Sequence, residues 1–236
     1  MLFSINYTYY ENADLFKDLV AYYEPYKNQF EFNIIDDGSQ KEPLSRDIVP
    51  SWWNLYRIEE DYGWGNEICK NILIKRSRSP WCIVLDLDYV IDLRTVFSRK
   101  FYEEDFKAYY GDTINMKIAF QFRDVESEFA DHFRRINCYI VSHSSFNQTY
   151  GYDMAYGWTC GYDRTFFEQL DVEITAPARL IHIREKASPT ATQDFSLYKA
   201  LVIKYAREGL ITKDRKWKSE IDRLNRCVEL PEIITL

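Results

Sequence analysis

Hydrophobic positions along this chain repeat with two different periods. Leu2 to Tyr7 is a largely apolar stretch that predicts a strand from the first residues. Asn12 suits an N-cap, and behind it Leu15, Phe16, Leu19, Val20 and Tyr23 recur at helical spacing until Pro25 ends the run. Phe30 to Ile35 predicts a second strand, closed by the turn residues Asp36-Asp37-Gly38-Ser39. Strand, helix and strand make a βαβ unit with a right-handed crossover.

Ser45 to Tyr56, with Trp52 and Trp53 adjacent, carries no clear period. Ile68, Cys69, Ile72 and Leu73 then share one face of a helix, and Lys75-Arg76-Ser77-Arg78 reads as its solvated basic end. Trp81 to Leu85 is short, apolar and rich in β-branched residues, as expected of a strand covered on both faces. It runs into Asp86-Leu87-Asp88, where alternation along a strand sends both carboxylates to one side. Leu93 to Tyr110 is expected to be helical, with Gly111 as the stop. Ile114, Met116, Ile118, Phe120 and Phe122 alternate as a half-buried strand does, and Asp124 to Arg135 reads as a loop or short helix. Cys138 to Ser142 is a further strand, Ser145-Phe146 opens a turn, and Tyr150 to Gly161 is a Gly- and aromatic-rich loop. A short helix from Asp163 to Leu170, a strand from Ile174 to Ile183 broken at Pro177, a loop over Ala187 to Thr192 and two C-terminal helices complete the chain. The expected fold is α/β, one domain over residues 1–236 with a mostly parallel central sheet flanked by helices.

Composition narrows the function. A net charge of −7 argues against a broad nucleic-acid footprint, although Lys75 to Arg78 and Lys213 to Lys218 leave local basic surface. The 19 Tyr, 15 Phe and 6 Trp supply a thick core and leave rings for a cleft that suits sugars or bases. No apolar run reaches the ~20 residues of a transmembrane span, and the N-terminus lacks the basic and apolar regions of a signal peptide. The five cysteines, at 69, 82, 138, 160 and 227, show no C-x-x-C pairing, which points to reduced thiols and away from zinc. A cytoplasmic protein is expected, in the host cytoplasm if the source is viral.

Candidate chemistry concentrates at strand ends. In open sheets of this kind ligands lie beyond the carboxyl ends of the strands. Asp36-Asp37 and Asp86/Asp88 fall at two such ends. Paired carboxylates there are costly unless neutralised, and a hard divalent cation prefers oxygen ligands. The plainer alternatives are a capped polar turn for the first pair and solvated acids for the second. Asp163 is either a helix cap or a group facing the cleft, and His182 either a structural histidine or a ligand.

The order of these motifs resembles the GT-A glycosyltransferases, family 2 of that class most closely. IIDDGS at Ile34 to Ser39 looks like the nucleotide-binding turn, and DYGWGNEICKN at Asp61 to Asn71 is similar to a glycine-containing motif ending in Arg-Asn. IVLDLDYV at Ile83 to Val90 looks like the metal-binding DXD strand. CYIVSHSSF, YGYD and GWTCGYDRTFF resemble the second half, where a strand leads to a Gly-Tyr-Asp turn and a Glu-Asp motif. The resemblance covers roughly Leu2 to Ile183. It divides the chain into a nucleotide-sugar-binding half (1–110), an acceptor and catalytic half (111–185) and a C-terminal loop with helices (186–236).

What the resemblance implies is a metal-dependent, inverting transfer of a sugar from a nucleotide-diphosphate donor, such as a UDP-sugar, to an acceptor hydroxyl. Asp36 or Asp37 would bond the base, Asp86 the ribose, and Asp88 would ligate Mn²⁺ or Mg²⁺ with Asp86 and His182 beside it. Asp61, Lys70 and Asn71 would line the donor site. Asp163 matches the catalytic base, with Asp153 as the fallback. Arg184 or Lys186, next to the 187–192 loop, would clamp the phosphates. Two positions depart from the family pattern: Tyr162 stands where its Glu would be, and Tyr150-Gly151 where a glycine doublet is usual. The acceptor, whether glycan, protein or a hydroxylated base of viral DNA, stays open, as does the oligomeric state. A nucleotidyltransferase is the competing enzyme, but the Gly-rich basic stretch it needs after the first strand is missing from Tyr7 to Asp14. A non-catalytic glycan-binding module is the competing non-enzyme.

Overall fold

The computed structural model describes residues 1–59, 61, 66–93, 118–123, 134–149, 151–152, 166, 169–174, 180–183 and 233–235; residues 118–123, 134–137, 171–174, 182 and 233–235 are described by backbone alone. Strands β1 (Phe3–Tyr9), β2 (Glu31–Asp36), β3 (Trp53–Ile58) and β4 (Trp81–Leu85) come from the N-terminal part of the chain. They are followed by β5 (Tyr89–Ile91), β6 (Ile118–Arg123), β7 (Arg134–Ser142), β8 (Asp171–Ile174), β9 (Leu180–His182) and β10 (Ile233–Thr235). The helices are α1 (Ala13–Tyr23), α2 (Asn66–Arg76) and the short α3 (His143–Asn147).

The main sheet has the order β10-β3-β2-β1-β4-β7-β6-β8. β3, β2, β1 and β4 run parallel to one another, β7 pairs antiparallel with both β4 and β6, β6 and β8 are parallel, and β10 closes the β3 edge antiparallel. This is the α/β, mostly parallel, Rossmann-like arrangement expected of the sequence.

Alternation along β1 sorts the two faces. Ile5, Tyr7 and Tyr9 join Phe32, Trp53, Leu55, Ile83 and the α1 residues Leu15, Phe16, Leu19 and Tyr23 in one aromatic-rich core. Helix α1 begins where Asn12 accepts the Leu15 N–H in its side chain, as its sequence predicts. The opposite face, under α2, is polar across three strands. Asn54 donates to the Asn33 side chain (2.7 Å), Asn33 to that of Asn6 (2.9 Å), and Asn6 to the Ile83 carbonyl (3.0 Å). Their registers align these asparagines in one row. At the amino end of the sheet, buried Glu31 accepts from the Arg78 and Ser79 backbones and the Ser79 hydroxyl, fixing the α2–β4 connection. Buried polar groups satisfied this completely are the condition for keeping them inside.

Several expectations change. The stretch Ser45 to Tyr56 contains the start of β3, a full member of the parallel sheet. The strand at Trp81 stops at Leu85: the Tyr89 N–H bonds the Asp86 carbonyl at 3.0 Å, closing a turn over Leu87-Asp88. Asp86 and Asp88 therefore sit on a turn, and strand alternation does not place them. The strand expected at Cys138 starts at Arg134, inside the segment read as a loop or short helix. Ser145-Phe146 belongs to α3, capped by Ser142 accepting the Ser145 N–H. The strand read over Ile174 to Ile183 separates into β8 and β9, which join different sheets. The helices expected over Leu93 to Tyr110 and at the C-terminus lie outside the described residues. No helix among the described residues is long and apolar enough to cross a membrane.

Candidate functional site

Because β3, β2, β1 and β4 share one direction, their carboxyl ends share one edge. In spatial order that edge carries Asp61 beyond β3, Asp36-Asp37 at β2, Tyr10-Glu11 after β1 and Asp86 after β4.

The loops on this edge are stitched together. Glu11 has a left-handed backbone, φ 45°, and its carboxylate accepts the N–H groups of Gln40, Lys41 and Glu42 at 2.6–2.8 Å. Burial pushes the Glu11 carboxyl up, but these donors outweigh it and hold it below its ordinary value. Asp36 is fully buried; one oxygen accepts the Ser39 N–H and the other the Leu44 N–H, both at 2.8 Å. Burial raises its pKa against the pull of those donors and of Arg57, its register partner on β3. Arg57 also donates to the Ser39 carbonyl at 3.0 Å, and Gly38 takes the φ of 74° that this turn demands. Asp36 thus has the turn-capping geometry. Asp37 is buried and bonded by the Cys69 thiol, whose pKa is pushed up by burial and then by Asp37 itself. Asp61 is half-buried and accepts from the Tyr10 hydroxyl at 2.9 Å.

Helix α2 starts on the same edge and is buried along most of its length, Glu67, Lys70 and Asn71 included. Asn71 donates to the Tyr152 carbonyl (2.9 Å) and accepts the Tyr152 N–H (2.8 Å), so its amide is used in joining α2 to the Gly151-Tyr152 segment. The Lys70 ammonium lies over the Tyr152 ring, 5.3 Å from its centroid. Tyr152 stacks on Phe166, and its hydroxyl bonds that of Tyr139 at 2.7 Å. Burial raises the Cys138 thiol, with the charges of Asp86 and Asp88 adding to the rise and the Asp86 backbone and Lys70 opposing it. On α2, Cys69 thus lies beside Asp37, while Lys70, Asp86 and Asp88 all act on the Cys138 thiol.

Asp86 and Asp88 are half-buried, flanking buried Leu87. Directly after their turn, β5 pairs antiparallel with β9 in a separate two-stranded sheet, with Tyr89 opposite His182. The Ile183 N–H donates to the Asp88 carbonyl at 2.9 Å. The backbone thus brings His182 alongside Asp88 from far along the chain. Among the described residues no group of three or more His, Cys, Asp and Glu is placed to hold a metal ion, and the His182 side chain is not one of those described. Asp153, Asp163, Arg184 and Lys186 lie outside the described residues.

Four edge residues escape the sequence reading. Tyr10 and Glu11 follow β1 without any motif, Arg57 belongs to the strand that carries no clear period, and Glu67 looks like an ordinary exposed acid in a first helical turn. A left-handed glutamate leaves no sequence signal, since only Gly and occasionally Asn or Asp favour that conformation.

No protein-family model matches this chain, and no curated protein matches it. Among solved structures it is similar to the galactosyltransferase LgtC in complex with donor and acceptor sugar analogues. The identity is 9% and the TM-score 0.38, over 71% of this chain. The alignment spans 66% of LgtC, just under two thirds of that protein's length.

Proposed function

We propose that this chain is a metal-dependent glycosyltransferase of GT-A type, moving a sugar from a nucleotide-diphosphate donor to an acceptor hydroxyl with inversion. The observation that supports this best is the β5–β9 pair, which sets the backbone of His182 beside the Asp86-Leu87-Asp88 turn. Carboxylate and imidazole donors at the carboxyl edge of a parallel sheet suit Mn²⁺ or Mg²⁺. Asp88 and His182 would hold that ion, with Asp86 shared between it and the ribose. A bound cation supplies Lewis-acid neutralisation of a departing diphosphate.

The chain's own residues divide the remaining work. Asp36 shapes the loop after β2, while Asp37 and Asp61 face the base. Lys70 adds positive charge to the donor site, and Asn71 fixes the segment leading to Asp153. Asp163, with Asp153 as the fallback, takes the proton from the acceptor hydroxyl as it attacks from the side opposite the diphosphate. Arg184 and Lys186 hold the phosphates and exclude water.

The test is donor hydrolysis and transfer, measured with and without EDTA. Activity that disappears in chelator, returns with Mn²⁺ and is lost in Asp88→Asn supports the reading. Full activity in chelator or in Asp88→Asn defeats it.

A further inference from the structure

The strand β5, which directly follows Asp88, has two edges. One pairs with β9. The other meets no strand among the described residues, yet its polar groups are bonded. The Tyr7 hydroxyl donates to the Tyr89 carbonyl at 2.7 Å, and the Tyr22 hydroxyl donates to the Ile91 carbonyl at 2.8 Å. The Ile91 N–H donates to the Tyr23 hydroxyl oxygen at 3.4 Å, and the Tyr7 and Tyr23 hydroxyls lie 2.8 Å apart. Proton counting settles the direction of that last contact. Each hydroxyl has one hydrogen, Tyr7 spends its own on Tyr89, and so Tyr23 donates to Tyr7.

The pattern is that of a ladder in which hydroxyls replace backbone. Tyr89 and Ile91 turn their N–H and C=O away from β9, as alternate residues of an antiparallel strand do. Both residues are buried, at 4% and 0% exposure, so these groups need partners. A two-stranded ribbon of three-residue strands is marginal by itself. Burial raises the Tyr7 and Tyr23 phenols well above their ordinary range, so both keep their hydrogens across the working pH range.

We infer that Tyr7, Tyr22 and Tyr23 are positioning residues: their hydroxyls stand in for a missing strand along β5 and so fix the backbone that carries Asp88 and, across the ribbon, His182. The inference rests on the proposed reading of those two residues as metal ligands. It makes α1, remote from the acid edge in sequence, a determinant of cation affinity through its two terminal tyrosines. Outer-shell partners of this kind govern metal affinity by holding the ligands in place.

The experiment uses the full chain and its Tyr7→Phe and Tyr22→Phe variants, with Leu19→Ala as a control that loosens the same core while leaving every hydroxyl on β5 in place. Mn²⁺ alone is the probe, its dissociation constant read by electron paramagnetic resonance. Amide exchange is followed at Ile183, whose N–H bonds Asp88. The expected result is weaker Mn²⁺ binding by about tenfold in each tyrosine variant, with faster exchange at Ile183 and neither effect in Leu19→Ala. Tyr22 is only partly buried, so its variant keeps the test meaningful should Tyr7→Phe fail to fold. Unchanged exchange at Ile183 in Tyr22→Phe, or an equal change in Leu19→Ala, overturns the inference. Failure of the wild-type chain to bind Mn²⁺ overturns the metal reading instead, and the exchange rate at Ile183 then decides the tyrosine clasp by itself.

Discussion

Asn71 and Tyr152 exchange two hydrogen bonds, the side-chain amide of one reading the backbone of the other like a neighbouring strand. The contact is close enough to dictate its neighbour. A Cβ on Gly151 would lie 2.5 Å from the Asn71 Oδ1, and the Gly151 φ is 62°. Gly151→Ala is expected to lower stability by about 2–4 kcal/mol, combining left-handed strain of ~1 kcal/mol with the collision. Asn71→Ala is expected to cost about 1–3 kcal/mol from the backbone groups it leaves unpaired. The pair should be non-additive: with Asn71 shortened, the added methyl meets no amide oxygen, and Gly151→Ala should cost only the backbone strain and the 3.1 Å approach to the Phe146 ring. Urea unfolding of the two single variants and the double variant measures the coupling.

The Glu11 clamp predicts a pH dependence with a definite sign. Its folded pKa lies below its ordinary value of 4.5, so the folded state binds fewer protons there than the unfolded state. The stabilisation is present above about pH 4.5 and is lost as pH falls through the lowered folded value. Glu11→Gln should lose less than about 1 kcal/mol at neutral pH, because the clamp is exposed to solvent that screens its charge and Gln keeps one acceptor oxygen. It should also lose less stability than wild type between pH 5 and about pH 3. Urea midpoints of both proteins across that interval check the prediction.

The asparagine row offers a stability test away from the acid edge. Asn33 both donates to Asn6 and accepts from Asn54. Asn33→Ala leaves an acceptor and a donor without their partner and opens a small void, for an expected loss of about 2–4 kcal/mol. Asn54→Ala, at the half-buried end of the row, removes one hydrogen bond where Asn33→Ala removes two, and should cost about 1 kcal/mol. Equal losses at the two positions would show that the row does not act as a buried network.

How much of this was legible in the sequence follows from which residues obey simple periods. β1, α1 and β2 announce themselves because their apolar residues line one core, as Leu15, Phe16 and Leu19 do. β3 hides because Asn54 and Arg57 interrupt its apolar residues: one joins the asparagine row and the other bonds the loop after β2. The second face of α2 hides for the same reason. Lys70 and Asn71 are expected to line a donor site, and their burial against the Tyr152 ring and backbone, supplied from far along the chain, leaves no local signal. The acid edge itself was legible, since strand ends and Asp residues are both local. The placement of Asp88 was not. It depends on a turn inside an apparently continuous strand and on two three-residue strands too short to leave a period.

The central claim is that the Asp88 turn and His182 bind a nucleoside diphosphate through a divalent cation. Thermal unfolding of the full chain with a panel of nucleotide sugars, with and without Mn²⁺, tests it most directly. At a ligand concentration of about one hundred times Kd, binding should stabilise the fold by ~2.7 kcal/mol, which for a chain of this size raises Tm by about 5–10 °C. The account predicts that one nucleotide gives such a shift only with Mn²⁺, and that Asp88→Asn abolishes it. A shift that persists in EDTA or in Asp88→Asn, or no shift with any donor, would contradict it.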